Sequence, residues 1–201
     1  MALLRSEGVS VIDHLPLIEA SEAKARPLEE VAKRAISLFL VALKGEGLEQ
    51  EIVEQLFEGY GASAFMSPKE LSFIKELAPT QHDRIQFTWR YECYWVFLWA
   101  LGYLDALPRP DGICDVRKAV GFLRYRNTEM FMADANLRNL DEILDEADLI
   151  YRYHWAVVNA RVNDRPVPAN LDKGVVMERH YAFNWIIGYM DQEWDDISTD
   201  T

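Results

Sequence analysis

The chain is poor in cysteine, has no long apolar run and carries no excess of positive charge, and each absence excludes a class of protein. Its two cysteines in 201 residues cannot form a disulfide framework. No run reaches the roughly 18 uninterrupted apolar residues that a membrane span needs. The formal net charge of −12 at pH 7 argues against a nucleic-acid-binding surface, because such surfaces concentrate lysine and arginine. We therefore expect no membrane and no nucleic acid among the partners.

The N-terminal sequence and the placement of Cys93 indicate a cytoplasmic protein. The first residues, MALLRSEGVSVIDHLPLIEA, have no basic segment, and Asp13 and His14 interrupt their apolar runs, unlike a secretory signal peptide. Cys93 stands in an apolar stretch, which is typical of a small core residue in a reducing compartment.

Helical periodicity runs through most of the chain, and helix-start and helix-stop residues divide it into segments. Pro27 begins a periodic run that stops at Gly45, and Ser67-Pro68-Lys69-Glu70 is a capping box with proline at the first helical position. Asp83 with Gln86 is a second candidate cap, and Asp172 is a third. The predicted helices cover residues 27–45, 48–58, 68–77, 84–104, 115–126, 139–163 and 175–190.

These segments predict an all-α protein, a single-domain multi-helix bundle over residues 1–201. Residues 1–25 form an N-terminal arm, with a short extended piece at Val9–Ile12 as the one candidate for non-helical regular structure. Residues 191–201 form an acidic tail with five acids and no base. We expect that tail to be a solvated terminus; the alternative is a docking segment for a basic partner.

Two predicted helices have no polar face but carry charges in their middle. They are Arg84–Leu104 and Val175–Met190, and a helix that is apolar all round is buried. At 100° per residue, Arg90 and Glu92 point to opposite sides of the first helix, and Glu178 and His180 to opposite sides of the second. Since an unpaired buried charge costs several kcal/mol, we expect each of these charges to find a partner on a neighbouring helix.

The long helix over residues 139–163 adds further candidates. His154 continues its apolar stripe and is expected to be a hydrogen-bonded core histidine, whereas Asp148 and Arg152 have the spacing of a surface ion pair. Two interpretations remain open: a structural network that fixes helix register, or a pocket that binds or transforms a small ligand. The candidate residues are Arg90, Glu92, Asp148, Arg152, His154, Glu178, Arg179, His180 and Asn184.

Several sequence blocks, in order along nearly the whole chain, resemble a bacterial family of unknown function, DUF4272. The resemblance implies a single-domain, mainly helical protein and no particular activity, so no catalytic residue follows from it. The blocks are Arg26–Arg34 (RPLEEVAKR), the Ser67–Leu77 helix, Trp89–Glu92 (WRYE) with Trp99–Gly102 (WALG), Leu137-Arg138 with Glu142–Asp145 (EILD), Asp148–Arg152 (DLIYR) with His154-Trp155, Glu178–Ala182 (ERHYA) with Asn184-Trp185, and Trp194-Asp195.

No motif in the chain supports a metal or a cofactor. There is no HExxH, no P-loop and no G-x-G-x-x-G, and Glu178 and His180 lie about 160° apart on a helix, which is poor geometry for one ion. We therefore expect a non-enzymatic binding or interaction protein, with a basic protein as partner because the chain is acidic. The alternative is a small-molecule enzyme or an anion sensor that uses the buried Glu, His and Arg residues.

Overall fold

A computed structural model describes residues 2–10, 12, 15–16 and 23–201. In this part of the chain the protein is all-α, as predicted, with no strand. The described elements are the helices α1 (Ala2–Ser6), α2 (Leu28–Glu46), α3 (Gln50–Gly59), α4 (Pro68–Lys75), α5 (Gln81–Thr88), α6 (Arg90–Ala100), α7 (Val116–Leu123), α8 (Thr128–Asp134), α9 (Leu140–Val162) and α10 (Lys173–Ile186), with four short 3-10 helices.

The N-terminal predictions fall partly outside the described residues. The predicted extended piece at Val9–Ile12 includes Val11, which is not described. Several other residues of the predicted 1–25 arm are not described either. In the described part of the arm, α1 was not predicted, and Leu4 and Val9 are buried in the core. No helix of the described residues combines the length and the apolar character needed to cross a membrane.

Helices α6 and α10 lie at the centre of the fold. α6 packs against both α2 and α10, and α10 packs in turn against α9. Every residue of α6 from Tyr91 to Ala100 is buried, which is the burial that an all-round apolar helix predicts.

The two central helices are shorter than predicted. The first divides into α5 and α6 at Trp89, where the Glu92 N–H bonds the Trp89 carbonyl at 3.0 Å, and Thr80 with Asp83 forms the α5 capping box instead of Asp83 with Gln86. α6 and α10 stop before Gly102 and Gly188, whose φ angles of 79° and 68° are left-handed and cannot continue a helix.

Gly45 does not end α2, contrary to prediction. The helix continues to Glu46, and Gly47 is its C-cap. Gly45 instead allows α5 to approach: a Cβ there would lie 2.8 Å from the Arg84 carbonyl oxygen and 2.8 Å from the Thr88 nitrogen. Backbone contacts this close require glycine on the α2 side.

The C-terminal segment is not the solvated terminus that its charges suggest. Trp194 is 2% exposed and Ile197 is 9% exposed, so both belong to the core. Asp195 accepts hydrogen bonds from Ser67 Oγ at 2.7 Å and from the Lys69 N–H at 3.0 Å, at the start of α4. The prediction fails because two apolar side chains among the acids hold the segment against the bundle.

Candidate functional site

Arg90 and Glu178 form an ion pair between α6 and α10. Arg90 Nη1 lies 2.9 Å from Glu178 Oε2, and the two side chains are 22% and 7% exposed. The Cys93 thiol donates to the same oxygen at 3.0 Å. Burial, followed by the adjacent carboxylate, raises the pKa of Cys93, so this thiol stays protonated and serves as a hydrogen-bond donor.

Glu92 and Arg179 form a second ion pair between the same two helices. Arg179 Nε and Nη2 both lie 3.3 Å from Glu92 Oε2, with side chains 1% and 2% exposed. The Cys114 backbone N–H donates to Glu92 Oε1 at 2.5 Å, and Arg179 Nη1 donates to the Pro108 carbonyl at 2.6 Å. These bonds give both charges the additional partners that a buried pair requires.

His154 of α9 and His180 of α10 form a third buried contact. Their Nδ1 atoms lie 2.8 Å apart. Burial lowers the pKa of His154 to about 4 and that of His180 to about 3, and the charges of Arg161 and His154, respectively, lower these pKa values further. At neutral pH both rings are therefore uncharged, and one Nδ1–H donates to the other Nδ1.

Asp148 and Arg152 are paired, but not on the surface. Arg152 Nε donates to Asp148 Oδ2 at 2.7 Å, while the Arg152 side chain is only 4% exposed. The prediction of a surface pair is wrong because α9 is buried on more than one face: Arg152, Tyr153 and His154 are consecutive and all buried.

Asn184 binds the C-terminal segment through a hydrogen bond. Its Nδ2 donates to the Ser198 carbonyl at 2.8 Å. The nine candidate residues thus occupy separate clusters rather than one connected network, and no hydrogen bond between described residues joins the two α6–α10 ion pairs to the histidine pair.

Sequence reasoning missed one buried ion pair. Arg34 of α2 lies 2.5 Å from Glu70 of α4, with side chains 10% and 2% exposed. Glu70 was identified only as a capping residue, whereas it both caps α4 and binds Arg34. The signal was present, because Arg34 stands three residues after Val31 and so lies on the buried face of its helix.

Two of the nine candidate residues, His154 and Glu178, line a groove between α9 and α10. It has a volume of about 520 Å³, and we call it the α9–α10 groove. Its polar lining residues are His154, Glu178 and Gln86, and its apolar walls are Val157, Val158, Val167, Met177 and the ring of Trp89. Trp89 is seated against α10 at Gly174, where a Cβ would lie 2.7 Å from the indole.

Three cations, Arg161, Arg165 and Lys173, also line this groove. All three are exposed, and none forms an ion pair with another residue in the described part of the chain. Glu178 is the acidic lining residue, and Arg90 already neutralises it. A chain of net charge −12 therefore presents a positive patch at this groove.

The sequence did not reveal these three cations as a group, because they belong to different structural elements. Arg161 lies near the end of α9, Arg165 in the following loop and Lys173 at the start of α10. The antiparallel packing of the two helices brings them together. In the described residues no group of His, Cys, Asp and Glu side chains is arranged to hold a metal ion.

Comparison with known proteins assigns the chain to a family. No curated protein and no solved structure matches it. One family model, described as a domain of unknown function (DUF4272), matches residues 1–197 of the 201, in agreement with the sequence blocks quoted above. The chain belongs to the DUF4272 family.

Proposed function

We propose that this protein is a cytoplasmic, non-enzymatic binding protein for a small organic anion, and that the ligand lies in the α9–α10 groove. The observation that carries the proposal is that Arg161, Arg165 and Lys173, which have no ion-pair partners in the described chain, all line that groove. Cations left unpaired in a strongly acidic protein favour an external anion. The apolar walls beside them provide contact area for the body of an organic molecule.

Binding fits the groove better than catalysis because its candidate acid–base groups already have partners. Glu178 Oε2 is held by Arg90 and by the Cys93 thiol. His154 is hydrogen-bonded to His180 through Nδ1. A ligand would meet the groove cations, an apolar wall and the His154 ring, while the Glu178 carboxylate is held by Arg90.

Two probes that differ only in charge test this proposal. Biphenyl-4-sulfonate and its neutral analogue, biphenyl-4-sulfonamide, are titrated into the protein by calorimetry at low and at high salt. We expect the sulfonate to bind more tightly than the sulfonamide and its affinity to fall as salt screens the groove cations. Equal affinity for the two probes, or no effect of salt, would contradict the proposal.

A second surface supports the predicted basic protein partner. Ile85 and Ile113 are 48% and 70% exposed, and they border an apolar groove of about 250 Å³ beside α5 and α7. Asp111 and Asp115 flank Ile113 in the chain and are exposed. Apolar anchors with acidic neighbours suit a partner segment that is amphipathic and basic.

A pair of synthetic peptides tests this second function. A Lys/Leu amphipathic peptide is expected to bind, and Ile113→Ser to weaken it, whereas the control Leu77→Ser, at a site 76% exposed, leaves binding unchanged. Equal binding of a Glu/Leu peptide, or equal loss in the two variants, would exclude this surface.

A further inference from the structure

The α9–α10 groove differs in polarity along its length. Arg161 stands seven residues, or about 10.5 Å along the helix axis, after His154. α10 runs back beside α9, so Lys173 lies near Arg161 and His180 near His154. The groove therefore has an outer end with three cations and an inner end lined by His154 and Glu178.

The inner end contains a ring nitrogen that accepts no hydrogen bond from, and donates none to, a described residue. His154 is 7% exposed, and its Nδ1 is bonded to His180. Its other ring nitrogen, Nε2, has no partner among the residues that the structure describes, although the ring lines the groove. Nε2 is not among the described side-chain atoms that are both buried and without a partner, so it is open to the groove, where a bound molecule can hydrogen-bond with it.

The charges at the inner end select the kind of group that can bind there. His154 is uncharged at neutral pH because burial lowers its pKa to about 4, so it provides no cation for an anionic group. Glu178 already binds Arg90, and the three groove cations already face the first anionic group, so a second anion here would lie beside a carboxylate with no further cation to bind it. A neutral hydroxyl avoids both penalties and can donate to Nε2 or accept from it.

We propose that the ligand of this groove is a polarised molecule, with an anionic group at the Arg161, Arg165 and Lys173 end and an uncharged hydroxyl at His154. This inference rests on the proposed function and specifies the class of its ligand. An apolar, preferably aromatic body connects the two ends, because Trp89, Met177 and the valine side chains form the wall between them.

Three sulfonates with the same biphenyl body test the polarity. They carry at the far ring position a hydrogen (biphenyl-4-sulfonate), a hydroxyl (4′-hydroxybiphenyl-4-sulfonate) or a second anion (biphenyl-4,4′-disulfonate). At pH 7 we expect the hydroxyl compound to bind roughly 3- to 10-fold more tightly than the parent, the usual range for one net hydrogen bond. We expect the disulfonate to bind more weakly than the hydroxyl compound and no more tightly than the parent.

Variants test whether His154 causes the tighter binding of the hydroxyl compound. His154→Phe is expected to abolish the advantage of the hydroxyl compound while leaving the parent bound, and the same change at the exposed His82 is the matched control. Because His154→Phe also removes a buried hydrogen bond and so lowers stability, ¹⁵N-histidine spectra of the wild-type protein provide a second measurement. The hydroxyl compound should shift the His154 Nε2 signal and leave the His82 signals in place.

The outcomes separate the two proposals. If the parent sulfonate does not bind, or binds with an affinity that salt does not change, the proposed function is wrong, and so is this inference. If the parent binds but the hydroxyl adds nothing, if its gain survives in His154→Phe, or if His154 Nε2 does not shift, only the inference is overturned. Tighter binding of the disulfonate than of the hydroxyl compound would likewise overturn it.

Discussion

The Nδ1 atoms of His154 and His180 lie 2.8 Å apart, so one of them carries a proton and the other does not. This bond joins the middle of α9 to the middle of α10 and requires that at least one of the two rings be neutral. Protonating either ring would place a charge in a buried site, and protonating both would place two donors against each other.

The histidine pair makes stability depend on pH. The pKa of each ring is lowered from 6.5 in the unfolded chain to about 4 for His154 and about 3 for His180, so between those values the unfolded state binds more protons. Stability is therefore complete above about pH 7 and falls as pH drops through 6.5, by roughly 2 kcal/mol between pH 7 and 5.5 for the two rings together.

Urea unfolding at the two pH values measures this loss. His82→Gln should show the same loss as wild type, because His82 is exposed. His154→Phe should show a smaller one. A wild-type free energy of unfolding that does not change from pH 7 to 5.5 would rule out a neutral buried pair.

The Glu92–Arg179 pair is expected to matter more than a surface pair of the same chemistry. Glu92→Gln leaves the guanidinium of Arg179, 1% exposed, without its counter-charge, and should destabilise the protein by about 3–5 kcal/mol. Glu142→Gln is the control, since Glu142 is 46% exposed in its pair with Arg138 and should change stability by less than about 1 kcal/mol. Thermal melts giving equal losses would show that burial of the pair has no energetic consequence.

Gly45 and Gly59 provide a matched test of the α2–α5 contact. Gly45→Ala puts a methyl group 2.8 Å from the Arg84 carbonyl oxygen and the Thr88 nitrogen and should cost about 1–3 kcal/mol. Gly59→Ala meets nothing within 4 Å and should stabilise α3 by about 0.5–1 kcal/mol. If Gly45→Ala were stabilising in a denaturant titration, the close approach of α5 would be incorrect.

Asp195 should stabilise the protein, and its neighbour Asp196 should not. Asp195→Ala removes the acceptor of bonds from Ser67 and Lys69 at the start of α4, an expected loss of about 1 kcal/mol. Asp196 is exposed, so Asp196→Ala should leave the melting temperature nearly unchanged. Identical melts for the two variants would mean that the C-terminal segment does not dock on α4.

Local signals in the sequence were sufficient for the fold class and for several helix starts. Ser67 and Asp172 are the N-caps that their sequence patterns predict. The helical angles also predicted that Arg90 and Glu178 would need partners on neighbouring helices, and these two partner each other. Whether these residues contribute to function remains a prediction.

Features that depend on tertiary packing could not be read from the sequence. The groove cations Arg161, Arg165 and Lys173 come from two helices and a loop and meet only because α9 and α10 pack antiparallel. The C-terminal acids suggested a solvated tail, because composition does not show that Trp194 inserts beside Trp185 and Phe97. Helix α8 was missed because its seven residues are too short for a clear helical period.

The most direct test of the central claim is the binding of biphenyl-4-sulfonate to two variants with the same net charge. Arg161→Gln/Arg165→Gln/Lys173→Gln removes the groove cations, and Lys75→Gln/Arg117→Gln/Arg124→Gln removes three exposed cations that do not line the groove. Calorimetry should show binding abolished in the first variant and retained, within about twofold of wild type, in the second. Equal affinity of the two variants would show that overall charge governs binding, and it would contradict the α9–α10 groove as an anion site.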